Sequence, residues 1–445
     1  MPAAASAPGS SPPPHVALPR ENGGQVWGSI GAHGIGLCLL VLPTMLALVP
    51  RGAAPLAAVA GLCAIGAVAA DPPRGWSGLR VPAALFGLLL LWGGVSGLWA
   101  IAPARSLLKV LQLAGLFAAA IVLAAAMRSA RGKRLPMLLT IAGTVLGLVA
   151  AWFDFVTNGG LSHHITVRPF ALPRLNQLAV WLAIMLLPIA ALLVCRGRIL
   201  LGIAAGLLMG ATVFLLDGTA AKTALALALP VAALLYLQRR LVAGIMAALS
   251  AVAVLSAPLT LPRLADHPLV LQDADAVKTS FGHRLLIWDF AGKRIAERPL
   301  LGWGLDAARS VPGADQLIRW NQMRLPLHPH NAPLQVWLEL GLPGAVLFAL
   351  LLFWLWQRLA AVPWPRIYAA AAGGSLAAAC AVLAAGWGIW QEWWIATLAL
   401  AACAIIAMAR EAAKPEAVEP EAAEPEAGGP AIRQPPRRGW RACGR

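Results

Sequence analysis

Charged residues are scarce in this chain of 445 residues. Asp, Glu, Lys and Arg make up only 12% of the sequence, whereas about a quarter of a soluble domain is charged. Hydrophobic residues reach 59%, and the mean hydropathy is +0.73. These values exclude an ordinary soluble domain and predict a protein that lies within a membrane.

The period-2 alternation of a membrane barrel is also missing. The apolar residues come instead in blocks of about twenty, the length that a helix needs to cross about 30 Å of hydrocarbon. The sequence therefore predicts an all-α, polytopic membrane protein with about 12 transmembrane helices. The predicted spans are 28–49, 53–70, 81–101, 106–127, 135–156, 176–195, 198–216, 219–237, 241–258, 332–356, 367–386 and 389–409.

Acidic residues are few, and the basic residues are concentrated in every second connection between the predicted spans. The chain has 35 Lys and Arg against 19 Asp and Glu, a net charge of +16. Because cytoplasmic loops are enriched in Lys and Arg, an N-terminus inside the cell fits the pattern best. The residues on that side are Arg74, Arg80, Arg128, Arg131, Lys133, Arg134, Arg196, Arg198, Arg239, Arg240, Arg358 and Arg366. The orientation puts both termini inside and the longest loop, 259–331, on the outer side of the membrane. The positive charge thus indicates topology and not nucleic-acid binding.

The two ends of the chain lack the features of folded structure. Residues 1–27 contain no signal-peptide core, which predicts a cytoplasmic tail followed by an uncleaved first span. Residues 410–445 carry Pro-Glu-Ala repeats and read as a second disordered tail. None of the six cysteines falls in 259–331, so no disulfide framework is indicated.

The chemistry is expected in the large loop, where polar residues concentrate. Its first motif runs from Phe281 to Pro299, and it predicts a helix over 283–298 that the proline ends. Arg284 falls on the apolar stripe of this helix, where a charge is costly unless it meets an anion. Either a structural carboxylate or an anionic ligand would satisfy it.

The second motif is His328-Pro-His-Asn331, which leads directly into the tenth span. Asn331 is a good N-cap. His330 before it has the chemistry of a general base near the membrane surface, although it could merely help to cap the turn. A metal site made by His328, His330 and His283 is a third interpretation, but it needs more ligands than the loop obviously supplies.

Several weaker signals remain. Asp273-Ala-Asp275 has the form of a metal–diphosphate motif, but a solvated turn is favoured, and Gly302-Trp-Gly304 suggests a turn. Lys222 begins the eighth span, where either Asp217 or an anionic ligand would balance its charge. Arg168 and Arg174 add two cations on the same predicted face. Together these residues predict a cation-rich surface beside lipid, with a histidine and no metal site, suited to a lipid diphosphate.

These motifs resemble those of the O-antigen ligase and O-antigen polymerase superfamily of bacterial membrane glycosyltransferases. The resemblance rests on "ERPLLGWG" after the arginine-containing helix, on "HPHNAPLQVWLELGLPG", and on "LPRLNQLAVWL". It covers about 168–356. Many members have an arginine where this chain has Lys222. The lysine keeps the positive charge, but it cannot form the two parallel hydrogen bonds of a guanidinium.

The resemblance implies metal-independent, inverting transfer of a glycan from undecaprenyl diphosphate, without a cofactor, at the periplasmic face of the inner membrane. It makes His330 the base and has Arg284 hold the diphosphate, with support from Lys222, Arg168 and Arg174; His328 and Asn331 are supporting residues. The acceptor is lipid A-core in the ligase branch and another lipid-linked glycan in the polymerase branch.

Functions of other classes stay open at this point. A lipid-linked glycan transporter would bind the same headgroup, but it favours charges along several spans. A transferase that uses polyprenyl phosphate sugars commonly needs acids in its first outer loop, and this chain has none at Val49-Pro-Arg-Gly52. A protein-directed oligosaccharyltransferase shares the motifs.

Overall fold

The structure is a computed structural model, and it describes residues 23–73, 76–128, 134–165, 170–267, 270, 272–273, 279–318 and 322–414. Over these ranges it contains helices and no strand, apart from one isolated bridge between Leu317 and Met323. The predicted all-α class is confirmed. The helices are α1 (Gly23–Leu48), α2 (Ala53–Ala70), α3 (Ser77–Ser96), α4 (Pro103–Ala126), α5 (Arg134–Thr157), α6 (Ser162–Ile165), α7 (Asn176–Cys195), α8 (Ile199–Leu215), α9 (Thr219–Asp266), α10 (Thr279–Glu297), α11 (Ala332–Ala361), α12 (Arg366–Ala385) and α13 (Glu392–Ala412).

Ten helices in the described ranges are long and apolar enough to cross a membrane. Two differences separate this count from the prediction. Helix α8 has only 17 residues, and α9 runs through both the eighth and the ninth predicted spans. The polytopic membrane class is confirmed, whereas the number twelve stays a prediction.

Helix α9 is too long to cross a bilayer once. Its 48 residues would extend about 72 Å at 1.5 Å per residue, more than twice the hydrocarbon thickness of about 30 Å. Gln238 has non-helical angles, φ −139° and ψ 65°. The arm before it packs on α12, and the arm after it packs on α11, where Ser250 accepts a hydrogen bond of 3.1 Å from the Trp356 indole. Gln238 therefore divides α9 into two arms, which correspond to the two predicted spans.

Helix α12 is the most enclosed of the ten candidate spans. Its sequence is rich in Ala and Gly, which allow helices to approach closely in a membrane protein. A Cβ on Gly374 would meet Leu187 of α7 and the backbone of Ala228 of α9. The Ser375 hydroxyl donates a hydrogen bond of 2.5 Å to the carbonyl of Ile184. Small side chains thus place α12 at the centre of the bundle.

The two ends of α12 define the two ends of the bundle. We call the end at Ala385 the site end and the end at Arg366 the opposite end. Arg366 donates hydrogen bonds to the carbonyls of Tyr236 and Leu237, at 2.5 and 3.1 Å. The first arm of α9 is about 27 Å long, so Thr219 lies at the site end.

Two of the three sequence motifs that carry the family resemblance pack against each other. Helix α11 is interrupted at Gly341, which has φ +61°. A side chain there would collide with the backbone of Leu300 and Leu301. Trp303 N–H donates to the carbonyl of Leu338 at 2.9 Å, and Gly304 N–H donates to that of Glu339 at 2.8 Å. Gly302-Trp-Gly304 is therefore a turn held on α11, as the sequence suggested.

Candidate active site

The candidate site is built on the C-terminal end of α12. The last carbonyls of a helix have no hydrogen-bond donor within the helix. At this end of α12, side chains donate hydrogen bonds to them. Asn331 Nδ2 donates to the carbonyl of Ala384 at 2.8 Å, and Arg284 Nη1 donates to that of Ala385 at 2.8 Å. His330 Nδ1 donates to that of Gly386 at 2.9 Å. Three consecutive carbonyls therefore bring three predicted site residues together.

This end of α12 is also suited to hold a cation. The aligned peptide dipoles give a helix C-terminus a partial negative charge. The Arg284 guanidinium lies against it, and burial lowers the pKa of that guanidinium. Among the described residues no carboxylate forms an ion pair with Arg284. The structural carboxylate considered for Arg284 is thus not found there, and a carbonyl takes its place.

The hydrogen bond of His330 determines which ring nitrogen carries the proton. A carbonyl oxygen can only accept, so Nδ1 is protonated and Nε2 keeps its lone pair. Burial, followed by the charge of Arg284, lowers the pKa of His330 to about 4, although the bond to Gly386 opposes this shift. The imidazole is therefore neutral near pH 7 and can accept a proton.

His330 adopts a backbone conformation that is rare for a residue with a side chain. Its φ is +54°, in the left-handed region, and such strain often accompanies functional sites. The backbone N–H of His330 donates to His328 Nδ1 at 3.1 Å. His328 thereby stabilises the turn that directs His330 toward Gly386.

His328 is itself buried and neutral. Burial, followed by the charge of His330 and then by Arg284 and Arg309, lowers its pKa to about 3. The two imidazole rings lie edge to face, with their centroids 4.3 Å apart. His328 Nε2 contacts the Gln391 side-chain amide at 3.2 Å. Arg309 and Gln391 are two neighbours of the site that sequence reasoning missed.

The predicted helix around Arg284 is present as α10. Leu285, Trp288 and Ile295 of its apolar stripe are buried, as expected, whereas Phe281 is 38% exposed. The Trp288 indole donates to the carbonyl of Pro329 at 2.9 Å. This bond fixes α10 to the His-Pro-His segment. The predicted N-cap is also confirmed, because Asn331 Oδ1 accepts from the N–H of Leu334 at 2.9 Å.

A buried carboxylate supports the site from inside α11. Glu339 is fully buried, and its oxygens accept from Gln335 Nε2 at 3.0 Å and from the Trp390 indole at 2.7 Å. The N–H of Asp306 donates to it at 2.5 Å. Sequence reasoning missed Glu339, although an acidic residue within an apolar helix is a signal for such a role.

Lys222 lies at the site end, in the first turn of α9, and is half-buried. Asp217 lies five residues before it, in the connection between α8 and α9, and whether Asp217 or an anionic ligand balances the charge of Lys222 stays a prediction. The start of α7 is adjacent, since a Cβ on Gly218 would lie 3.1 Å from Asn176 Oδ1. In the described part of the chain the buried oxygens Asn176 Oδ1 and Gln177 Oε1 have no hydrogen-bond partner.

The remaining predicted residues are placed as follows. Arg174 is half-buried in a 3-10 turn, Leu172–Leu175, directly before α7. Arg168 and Asp275 lie outside the described residues. Asp273 is exposed, and no group of three or more His, Cys, Asp or Glu side chains able to hold a metal ion occurs among the residues described.

Comparison with known proteins agrees with the resemblance. A family model described as O-Antigen ligase matches residues 204–349, which contain Lys222, Arg284, His328, His330 and Asn331. This segment is similar to the O-antigen ligase family. The match supports the expected superfamily, and the matched segment includes both packed motifs and the side chains that hold the end of α12.

Curated relatives match over a similar fraction of the chain. A Rickettsia conorii protein named "Putative polysaccharide ligase" is 32% identical over 162 residues, 34% of this chain and 38% of the relative. Proteins of the same name from Rickettsia felis and Rickettsia typhi are 30% and 33% identical, over 34% and 27% of this chain and 38% and 30% of their own lengths. The chain thus matches well under half the length of these relatives. No solved structure matches it.

Proposed function

We propose that this protein is an inverting glycosyltransferase of the O-antigen ligase type. It transfers a glycan en bloc from undecaprenyl diphosphate to a hydroxyl group of a lipid A-core acceptor. The observation that carries this proposal is the end of α12, where consecutive carbonyls hold Arg284 and His330 side by side. A cation for a diphosphate and a neutral base for a hydroxyl are what the reaction requires.

Arg284 acts on the donor. The described surroundings offer its guanidinium one carbonyl oxygen, which leaves other N–H groups free to donate to an anion. A diphosphate offers oxygens with the spacing that the planar guanidinium fits. The charge that builds up on the diphosphate as the glycosidic bond breaks is stabilised by a cation that is already in place.

His330 acts on the acceptor. Its Nε2 takes the proton of the acceptor hydroxyl while the oxygen attacks the anomeric carbon. A new C–O bond forms, the bond between the anomeric carbon and the diphosphate breaks, and the diphosphate leaves with the electron pair. The proton ends on His330, and the anomeric centre is inverted. Because the diphosphate is negative, its binding near Arg284 should raise the pKa of His330 and strengthen the base.

Lys222, Arg168 and Arg174 are assigned to donor binding. Lys222 and Arg174 precede or begin helices at the site end, where positive charge suits an anionic headgroup at the membrane surface. Positive charge on the connections of the opposite end supports placing the site end in the periplasm, with the protein in the inner membrane. A cysteine at Asp315 should then react with an impermeant thiol reagent in spheroplasts, and one at Tyr236 should not. The reverse labelling would contradict this orientation.

The lipopolysaccharide of a strain without the protein tests the proposed function. If the protein is a ligase, the strain should lose all long chains on core and accumulate lipid-linked polymer. Single repeats that remain on core would indicate a polymerase, which uses the same donor with another glycan as acceptor. An unchanged pattern would contradict both activities.

A further inference from the structure

The connection between α12 and α13, residues 386–391, lies beside the base and is held along its length. His330 binds the carbonyl of Gly386, and Gln335 Oε1 accepts from the N–H of Ile389 at 3.0 Å. The indole of Trp390 is bound by Glu339 at 2.7 Å. A connection fixed by α11 and its preceding motif is a rigid, preorganised platform.

Two half-buried tryptophans stand on this platform. Trp387 directly follows the carbonyl that His330 binds, and Trp393 lies in the first turn of α13. Their ring centroids are 4.8 Å apart at an interplanar angle of 82°. The neighbouring Trp390 and Trp394 are buried in the core. The outer pair therefore presents aromatic surface that the fold does not fully enclose.

The outer pair is linked to the histidines through the side chain of Gln391. The indole N–H of Trp393 donates to Gln391 Oε1 at 3.0 Å. The amide of Gln391 in turn contacts His328 Nε2 at 3.2 Å, and His328 accepts from the backbone of His330. An occupant of the tryptophan surface would consequently lie next to the groups that position the base.

Polar side chains flank this surface. Gln391 offers an amide, and Glu392 forms an ion pair with Lys109 of α4. Aromatic faces bind the C–H groups of sugar rings, and amides and carboxylates bind their hydroxyls. This combination distinguishes the surface from an apolar groove that would bind an acyl chain.

We propose that Trp387 and Trp393 form a subsite that binds a sugar ring of the acceptor glycan. This inference rests on the proposed function, because the hydroxyl that His330 deprotonates must belong to a sugar that is close by. Arg284, to which the diphosphate is assigned, binds the carbonyl of Ala385. His330 binds the carbonyl of the next residue, Gly386, and Trp387 follows directly after Gly386. The acceptor, and not the donor, is therefore the glycan that the pair contacts.

The competing role is that of membrane-interface tryptophans, which anchor many helices without binding ligand. The chain provides a matched control in Trp364, which is half-buried at the opposite end. Its ring lies 5.8 Å from that of Tyr368 at 72°. Trp364→Leu removes a similar indole from a similar aromatic contact, far from the base.

The test measures transfer by purified, full-length protein in nanodiscs, with undecaprenyl diphosphate-linked glycan as donor and lipid A-core as acceptor. Trp387→Leu and Trp393→Leu should each raise the acceptor KM about 10-fold and leave the donor KM unchanged. Trp393→Phe keeps an aromatic ring at this position and should recover most of the acceptor affinity that Trp393→Leu loses. An acceptor KM that stays at the wild-type value, or rises equally in Trp364→Leu, would overturn the subsite.

A second measurement does not depend on turnover. Wild-type protein labelled with 5-fluorotryptophan is titrated with core oligosaccharide freed of lipid A, and Trp387→Phe and Trp393→Phe assign the two fluorine signals. Saturable shifts of these signals, with the Trp364 signal unmoved, are expected. Unmoved signals would reject the subsite even if transfer occurs. Shifts without any transfer would instead reject the proposed function and keep a sugar-binding site.

Discussion

At both ends of the helix bundle arginines bind carbonyls at the ends of helices, but the candidate active site lies at one end. At the opposite end Arg366 binds the carbonyls of Tyr236 and Leu237, and Arg239 binds that of Val362 at 3.2 Å. Arg284 does the same at the site end. An arginine that binds the carbonyls of a helix end can therefore have a purely structural role.

The difference lies in what surrounds the arginine. Arg366 is exposed and lies over the ring of Tyr236, 4.6 Å from its centroid. Arg284 is half-buried, and two neutral histidines with lowered pKa values lie within its electrostatic reach. One of them has a left-handed backbone. The combination of a desolvated cation, a neutral imidazole and local strain distinguishes the candidate site from the opposite end.

Removing the base should produce the largest loss. We expect His330→Ala to lower kcat by on the order of 1,000-fold, because no other group would take the acceptor proton. Donor KM and protein level should be nearly unchanged. In the wild type, kcat/KM should fall as the pH drops through about 4, since protonation removes the lone pair. Near-normal turnover by His330→Ala would assign the base elsewhere, with His328 the next residue to test.

Removing the site-end arginine should be nearly as severe, while its counterpart should matter little. Arg284→Ala should cost about 3 kcal/mol of transition-state stabilisation, roughly 150-fold in rate. Arg284→Lys should recover little, since an ammonium cannot form two parallel hydrogen bonds. Arg366→Ala serves as the matched control and should retain transfer activity. Equal losses at the two ends would mean that both arginines act through folding alone.

His328 should act by positioning His330. His328→Ala removes the acceptor of the His330 N–H and should lower kcat by about 10-fold, with substrate KM values unchanged, a loss of about 1.4 kcal/mol. Asn can accept a hydrogen bond from the N–H two residues on, so His328→Asn should restore most of the rate. If His328 transferred protons itself, Asn would be no better than Ala.

The hydropathy pattern predicted much of the fold. Block length located the spans, and Pro299 and Asn331 marked the end of α10 and the start of α11. Arg284 and His330 were predicted as site residues because a cation and a histidine are unusual on apolar surfaces. The two-arm structure of α9 was also anticipated, since Gln238 with Arg239 and Arg240 interrupts an apolar run.

The partners of the site residues could not be predicted. Arg284, His330 and Asn331 bind backbone carbonyls, which every residue has and which leave no mark in a sequence. The network of Glu339 joins residues 306, 335 and 390, and only folding makes them neighbours.

Lys222 should give the smallest of these effects. It contributes charge at the site end without contact to Arg284 or His330 in the described structure. Lys222→Arg should be tolerated, because a guanidinium keeps the positive charge and also binds phosphate oxygens. Lys222→Ala should raise the donor KM by about 5-fold, or about 1 kcal/mol, and leave the acceptor KM unchanged. A loss as deep as that of Arg284→Ala would make Lys222 a primary ligand of the diphosphate.

Transfer by the purified protein in excess EDTA tests the central claim most directly, which is that fixed protein groups perform the chemistry. With undecaprenyl diphosphate-linked glycan and lipid A-core, the wild type should form product at the same rate with and without the chelator. The same reaction with His330→Ala should form almost none. Activity that EDTA abolishes and magnesium or manganese restores would contradict the account, and would make Asp273 and Asp275 candidate metal ligands.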